Sequence, residues 1–440
     1  MGETGGRQEQ SCDGSSGYRW SRVIPITFLG VTLCLLVRPY IDVIRSHGLR
    51  GALSYIADAE IYSRTVLAAN FYSDGFVRRG LGGTIAKALS GNWNNSIILF
   101  IAFSVTWFMV PILSLLKRVA VALNARQAIY FAAVLALSPQ TFFGWARDLS
   151  RTDLFVAGWL AIAVVAWVDQ RRMLAVSAIL CGLLVHETAV VFGLPLLAAM
   201  LAEDWRAGVL NRQQVTRLTG IAAAGIASII FLQMGFGVSN LTLANHMLRE
   251  TPVLTDDPVH RLYRDIAIYM AVAGPDALKT AICYNFEMNK AYWLQFASCL
   301  AVLIGYALIL PLRRRPITAF IVMCVPAVFM MLIANDTGRW LKLSVLSGWL
   351  ISAFYLLRKP EGDSLRNGVI AQGSVILAIL LFMGTTKHNN INPMLDRIAL
   401  SASLGDPVSL RVWMDTCDPG WERYIQTAEV QLQREQGVRR

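Results

Sequence analysis

The sequence predicts an all-α polytopic membrane protein of about eleven transmembrane helices, with amphipathic helices in its extracytoplasmic loops. Three observations carry that expectation. Of 440 residues, 55% are hydrophobic and only 16% are charged, whereas an ordinary globular chain carries about 25% charge spread through every element. The apolar residues come in blocks close to the length of a spanning helix, about 20 residues. The basic residues sit in short tracts beside those blocks, so the net charge of +11 reads as a record of membrane topology and not as a nucleic-acid surface. No room remains for a large soluble domain, and no nucleic-acid partner is expected.

Taken in order, residues 1–22 are polar and mostly rich in Gly and Ser, too long and mixed for the basic start of a cleavable signal, and are expected to form a disordered cytoplasmic tail. A multi-pass domain follows over 23–384. Its apolar spans are Val23–Val37, Ser96–Leu116, Ala128–Ala146, Leu154–Val168, Met173–Val185, Ala189–Ala202, Ile221–Phe236, Tyr292–Leu312, Ile317–Ala334, Leu341–Leu357 and Val369–Gly384. The stretch 173–202 can be read as one long helix or as two short ones broken at His186, Glu187 and Thr188. Topology favours the break. With two helices, the tracts Lys117/Arg118/Arg126, Arg171/Arg172, Arg206/Arg212/Arg217, Arg313/Arg314/Arg315 and Arg358/Lys359/Arg366 all fall on one side, which the positive-inside rule makes the cytoplasm. With one helix, the last two tracts change sides. The amino terminus is then inside and the carboxyl tail outside.

That topology leaves long outer segments at 38–93 and 237–291 and an outer tail at 385–440. The first has helical apolar spacing at Tyr55, Ile56, Ile61, Val66 and Leu67, expected of helices lying on the membrane surface. The second holds Asp256, Asp257, Arg261, Arg264 and Asp265 among similar spacing, and the tail closes in a charge-rich helix from Glu422 toward Arg440. No internal repeat of the kind found in many transporters is visible. The seven cysteines are scattered, with no CxxC pair or Cys/His cluster, and signal neither a zinc site nor a disulfide framework.

Ionisable residues gather at the predicted outer ends of the spans. They are Asp58 and Glu60; Tyr72 to Gly83, reading YSDGFVRRGLGG; Arg147 to Asp153, reading RDLSRTD; His186 and Glu187; and Asn335 to Trp340, reading NDTGRW. Charge at the hydrocarbon boundary is costly, so it is paired, faces a wet cavity or does chemistry. In RDLSRTD the spacing sets Arg147 and Arg151 on one helical face with Asp148 and Asp153 close enough to pair, an array suited to phosphate. Arginine's planar fork donates two hydrogen bonds to neighbouring phosphate oxygens. Arg78 and Arg79 beside Gly80, Gly82 and Gly83 add backbone donors. Each motif also has a purely structural reading. RDLSRTD can seal a loop, YSDGFVRRGLGG can be a tight turn with arginines reaching lipid headgroups, His186 and Glu187 can cap a broken helix, and NDTGRW can be an N-cap with Trp340 as an interfacial anchor. Their recurrence on one side is what those readings leave unexplained.

The order of a long first outer loop with acidic residues, an arginine-bearing outer loop and a His in LLVHETAVVFGLPLL resembles the bacterial membrane glycosyltransferases of the type C fold. More narrowly it is similar to exopolysaccharide and O-antigen polymerases. The likeness spans about Arg38 to Ala202, with NDTGRW as a later echo. It implies a protein of the bacterial cytoplasmic membrane. The implied reaction moves a sugar from a polyprenyl phosphate or diphosphate carrier to a glycan, lipid or protein acceptor, outside the cytoplasm. A carboxylate must accept the acceptor's proton, with Asp74 first and Asp58 or Glu60 behind it. Cations must hold the departing phosphate, for which Arg78, Arg79, Arg147 and Arg151 are candidates. Asp148, Asp153, His186, Glu187, Asp336, Arg339 and Trp340 would orient groups or bind acceptor. The first outer loop has no DxD, offering Asp58-Ala59-Glu60 and Asp74 instead, so no metal ligand set is assigned and a divalent cation stays open.

Other readings use the same residues. A transporter or flippase for an anionic or lipid-linked solute would use the arginines as a binding site, although it should hold its charges near the bilayer midplane. A ligase or acyltransferase would use His186 as base. A non-catalytic scaffold would use none of them chemically.

Overall fold

Every regular element among the described residues is helical, apart from one isolated antiparallel bridge between Gly75 and Gly237. The computed structural model describes residues 14–38, 61–77, 79–90, 93–138, 152–251, 258–288, 292–310, 315–333, 337–358, 370–377 and 407–438, with a few isolated positions between them. In chain order the helices are α1 Gly14–Val37, α2 Ile61–Ala68, α3 Phe71–Asp74, α4 Gly80–Ser90, α5 Trp93–Ala122, α6 Ala125–Ala136, α7 Asp153–Val168, α8 Arg172–Val185 and α9 Thr188–Arg206. They continue as α10 Arg212–Phe236, α11 Asn240–Glu250, α12 Pro258–Val272, α13 Pro275–Cys283, α14 Tyr292–Ile309, α15 Pro316–Ile333 with a π-helical turn inside it, α16 Thr337–Arg358, α17 Pro407–Cys417 and α18 Glu422–Val438.

Six of these are long and apolar enough to cross a membrane, over Trp20–Val37, Ile98–Ala122, Thr188–Arg206, Arg212–Phe236, Pro316–Ile333 and Arg339–Arg358. Ala125–Ala136, Asp153–Val168, Arg172–Val185 and Phe296–Ile309 are apolar but shorter. The chain is therefore an all-α membrane protein with multiple crossings. α16 is the bundle's axis, buried on every side from Leu341 to Leu356. Trp349 at its middle stacks on Phe131 at 4.6 Å and donates from Nε1 to the Phe131 carbonyl at 2.9 Å, tying α16 to α6. α10 lies at the periphery, its Ile230, Phe231 and Met234 exposed as lipid-facing side chains are.

The break at His186 and Glu187 is real. α8 and α9 form a hairpin, because Arg172 at the start of α8 reaches Asp204 near the end of α9 at 3.3 Å. Asp204, almost wholly buried, also accepts from Arg358 Nη2 at 2.7 Å and from Trp167 Nε1 at 3.1 Å. Beside it Arg315 pairs with Glu203 and lies over the Tyr355 ring at 4.1 Å, and Arg118 pairs with Asp169. Basic residues from four of the tracts thus meet carboxylates at one end of the bundle, which a single helix over 173–202 does not permit.

A second apolar cluster, separate from the bundle core, lies at the other end. Ala68 and Ala69, Val77, residues of α11, α12 and α13, and Trp413, Met414, Trp421 and Ile425 of the tail form it. Described residues of 68–77, 243–277 and 413–428 therefore fold together as one layer. Two expectations are corrected here. Cys283 and Cys417 form a disulfide across a separation of 134 residues, pinning α13 to α17. The pairing has no local spacing signal, because tertiary packing alone brings α13 beside α17. Second, α1 starts at Gly14, so residues 14–22 belong to a helix and not to the disordered tail. Once the apolar turns are helical, continuing the ladder satisfies the amides preceding them.

Candidate functional site

The end of the bundle opposite Asp204 is set by the same helices. α7 begins at Asp153, α8 ends before His186, and α16 carries Arg339 in its first turn. Asp153, 1% exposed, takes two parallel hydrogen bonds from Arg339, from Nε at 2.7 Å and from Nη2 at 2.6 Å. The acid also stands in the first turn of α7, where the helix dipole favours negative charge. The Arg339 guanidinium lies 5.0 Å from the centre of the Trp340 ring. Trp340 is buried, and its Nε1 has no partner among the described residues.

At the hairpin tip, Glu187 receives Nε of Arg79 at 3.1 Å and Nη2 at 2.5 Å, another two-pronged pair. This pair is the more open one, with side chains 18% and 35% exposed. Arg79 adopts φ +63, a left-handed conformation that costs a non-glycine residue about 1 kcal/mol. Its backbone thus sits in a disfavoured region at the point where the guanidinium meets Glu187. Between the two pairs lies His186. Its Nδ1 accepts from the Thr188 amide at 3.3 Å, which places the proton of the neutral ring on Nε2. Burial pushes its pKa down to about 3, helped by the positive charges of Arg79 and Arg339 against the opposing Glu187 and Asp153. The ring stays neutral.

Asp74 stands on the connection leading to Arg79. It closes α3, whose cap Asn70 accepts from the Ser73 amide at 3.0 Å. The Asn70 amide donates back to Asp74 Oδ2 at 2.9 Å. His246 on α11 supplies Nδ1 at 2.8 Å from Oδ1 and 2.9 Å from Oδ2. This meeting depends on the bridge at Gly75, where Phe76 donates to the Phe236 carbonyl at 3.1 Å and Val238 donates to the Asp74 carbonyl at 3.0 Å. Gly75 holds φ +68, and a Cβ there would lie 2.5 Å from the Phe236 oxygen, so both conformation and space demand glycine.

The structure thus brings Arg79, Asp153, His186, Glu187, Arg339 and Trp340 to one end of the bundle and sets Asp74 on the adjoining connection. Asp58, Glu60, Arg78, Arg147, Asp148, Arg151 and Asp336 lie outside the described residues. The local pairing expected of Asp153 with Arg147 and Arg151 therefore lies outside them as well. Sequence reasoning missed His246, Glu250 and the Asp153–Arg339 pairing. His246 and Glu250 did carry a signal, their i,i+4 spacing on the amphipathic helix α11. Among the described residues no group of three or more His, Cys, Asp or Glu has the arrangement of a metal site. No protein-family model, no curated protein and no solved structure matches this chain.

Proposed function

We propose that the protein is a membrane glycosyltransferase or glycan polymerase that takes a sugar from a polyprenyl phosphate or diphosphate carrier, on the extracytoplasmic side of a bacterial cytoplasmic membrane. In this reading the four shorter apolar helices and 369–384 are further crossings, making eleven, with the amino terminus in the cytoplasm. The arginines gathered around Glu203 and Asp204 support that orientation through the positive-inside rule. The disulfide between α13 and α17 supports it too, since such bonds persist in oxidising compartments.

The observation that carries the reading is the connection from Asp74 to Gly80. It holds an enclosed carboxylate–imidazole pair at one end and, five residues on, an arginine in a disfavoured backbone conformation beside a second carboxylate. Glycosyl transfer needs both functions close together: removal of the acceptor hydroxyl's proton, and neutralisation of the phosphate that leaves the anomeric carbon. Arg79 serves the phosphate by exchanging Glu187 for it, the open pair being the one able to exchange. Arg78, Arg147 and Arg151 are further candidates for the same task, with Asp58 and Glu60 as further carboxylates and Asp148 and Asp336 as orienting groups. The buried Asp153–Arg339 pair, with His186 and Trp340, holds the framework. α8 has 14 residues and is about 21 Å long, short of the roughly 30 Å hydrocarbon core, so the hairpin tip is recessed and a lipid tail can approach it.

The test is incubation of purified protein with a radiolabelled polyprenyl diphosphate sugar and an acceptor glycan. Release of the polyprenyl carrier, lost at least 100-fold in Arg79→Gln and in Asp74→Asn, is the expected result. Full turnover in both variants, at normal expression, removes the site. Uptake of the label into vesicles without chemistry would favour a transporter.

A further inference from the structure

We propose that His246 takes the proton in this reaction and that Asp74 acts as the positioning residue for its ring. The inference rests on the transferase reading and assigns the atom at which the proton arrives. Asp74 is poorly placed to receive it directly. Its side chain is 1% exposed, one oxygen accepts from the Asn70 amide at 2.9 Å, and both oxygens lie within 2.9 Å of His246 Nδ1. A carboxylate enclosed in that way meets no incoming hydroxyl.

His246 is 15% exposed, and its geometry assigns the two ring nitrogens different tasks. Nδ1–H donates to Asp74, which leaves the lone pair of the neutral ring on Nε2. That nitrogen faces Glu250 Oε1 at 3.5 Å, one helical turn on, too long for a strong hydrogen bond, and the Glu250 side chain is 35% exposed. Nε2 therefore has a partly open approach flanked by a carboxylate.

The step balances without any other reactant. The acceptor oxygen forms a bond to the anomeric carbon as the bond from that carbon to the carrier phosphate breaks. The hydroxyl proton passes to His246 Nε2, and the electron pair leaves with the phosphate toward Arg79. Asp74 and Glu250, on either side of the ring, steady the imidazolium that forms. The other imidazole of the site, His186, is unsuited to this role because it is buried with Nδ1 engaged by Thr188.

The position of the ring is built into the fold. Ser239 caps α11 by accepting from the Thr242 amide at 3.2 Å, and the bridge at Gly237 fastens the start of that helix to Gly75. On the same helix, Leu243 and Met247 are buried in the second apolar cluster. The helix has little freedom to rotate His246 away from Asp74.

The experiment uses the full-length protein in detergent with the radiolabelled polyprenyl diphosphate sugar. His246→Ala should lower kcat at least 100-fold with KM little changed, and added imidazole should restore turnover several-fold. Asp74→Asn should also lower kcat, and imidazole should not restore it. Formation of the Cys283–Cys417 bond, read by mobility on a non-reducing gel, reports that the outer layer has folded; if His246→Ala fails it, His246→Asn is read in its place. Turnover of the His246 variant within tenfold of the parent overturns the proposal while leaving the transferase reading intact, and so does absence of imidazole rescue. Absence of turnover in the parent overturns both.

Discussion

Asp153 and Arg339, 186 residues apart, are joined by two hydrogen bonds of 2.7 and 2.6 Å around a carboxylate that is 1% exposed. They fasten the first turn of α7 to the first turn of α16, the axis of the bundle. Removing one member leaves the other charge buried without its principal partner. Asp153→Asn and Arg339→Met should each cost about 3–5 kcal/mol of stability, and the double variant should cost less than the sum of the two. Thermal unfolding in detergent micelles checks this, and strictly additive losses would show that the two side chains are not coupled.

His186 gives stability a defined pH dependence. Its pKa is lowered from 6.5 to about 3 in the folded protein, so the unfolded chain binds a proton that the native one refuses. The contribution is fully present above pH 6.5 and is lost as pH falls from 6.5 toward about 3. His186→Gln should flatten that part of the stability curve. An unchanged slope between pH 6.5 and 4 would contradict the neutral buried ring.

The Cys283–Cys417 bond closes a separation of 134 residues, and the chain-entropy model gives such a link about 4–5 kcal/mol. Cys283→Ser should loosen the outer layer while leaving the helix bundle intact. Protease nicking between α17 and α18, faster in the variant or after reduction, is the measurement. The same rate in oxidised, reduced and variant protein would deny the bond a structural role.

Gly75→Ala places a methyl group 2.5 Å from the Phe236 carbonyl at a φ of +68. It should break the Gly75–Gly237 bridge and separate Asp74 from His246. The expected loss is about 1–3 kcal/mol of local stability. Faster hydrogen exchange confined to α3 and the start of α11 would report it.

The hairpin predicts opposite exposure for two positions only 20 residues apart. With Cys12, Cys34, Cys181, Cys299 and Cys324 replaced, Glu187→Cys and Ala207→Cys should react with an impermeant reagent from opposite faces of the membrane. Labelling of both from one face would dissolve the arrangement of charges around His186.

Composition and patterning alone determined that the chain is helical and membrane-embedded, that 173–202 breaks at His186 and Glu187, and that charge gathers at helix ends. These are local properties: hydrocarbon forces backbone amides into helices, and flanking arginines choose a side. The helix at Glu422–Val438 was legible for the same reason, in its charge and spacing. Which acid meets which base was not legible. Arg79 with Glu187, Asp153 with Arg339, Asp74 with His246 and Cys283 with Cys417 each join residues more than 100 positions apart. Those partnerships depend on the rotation of each helix about its axis and on the bridge at Gly75, which only the packing of the whole chain decides.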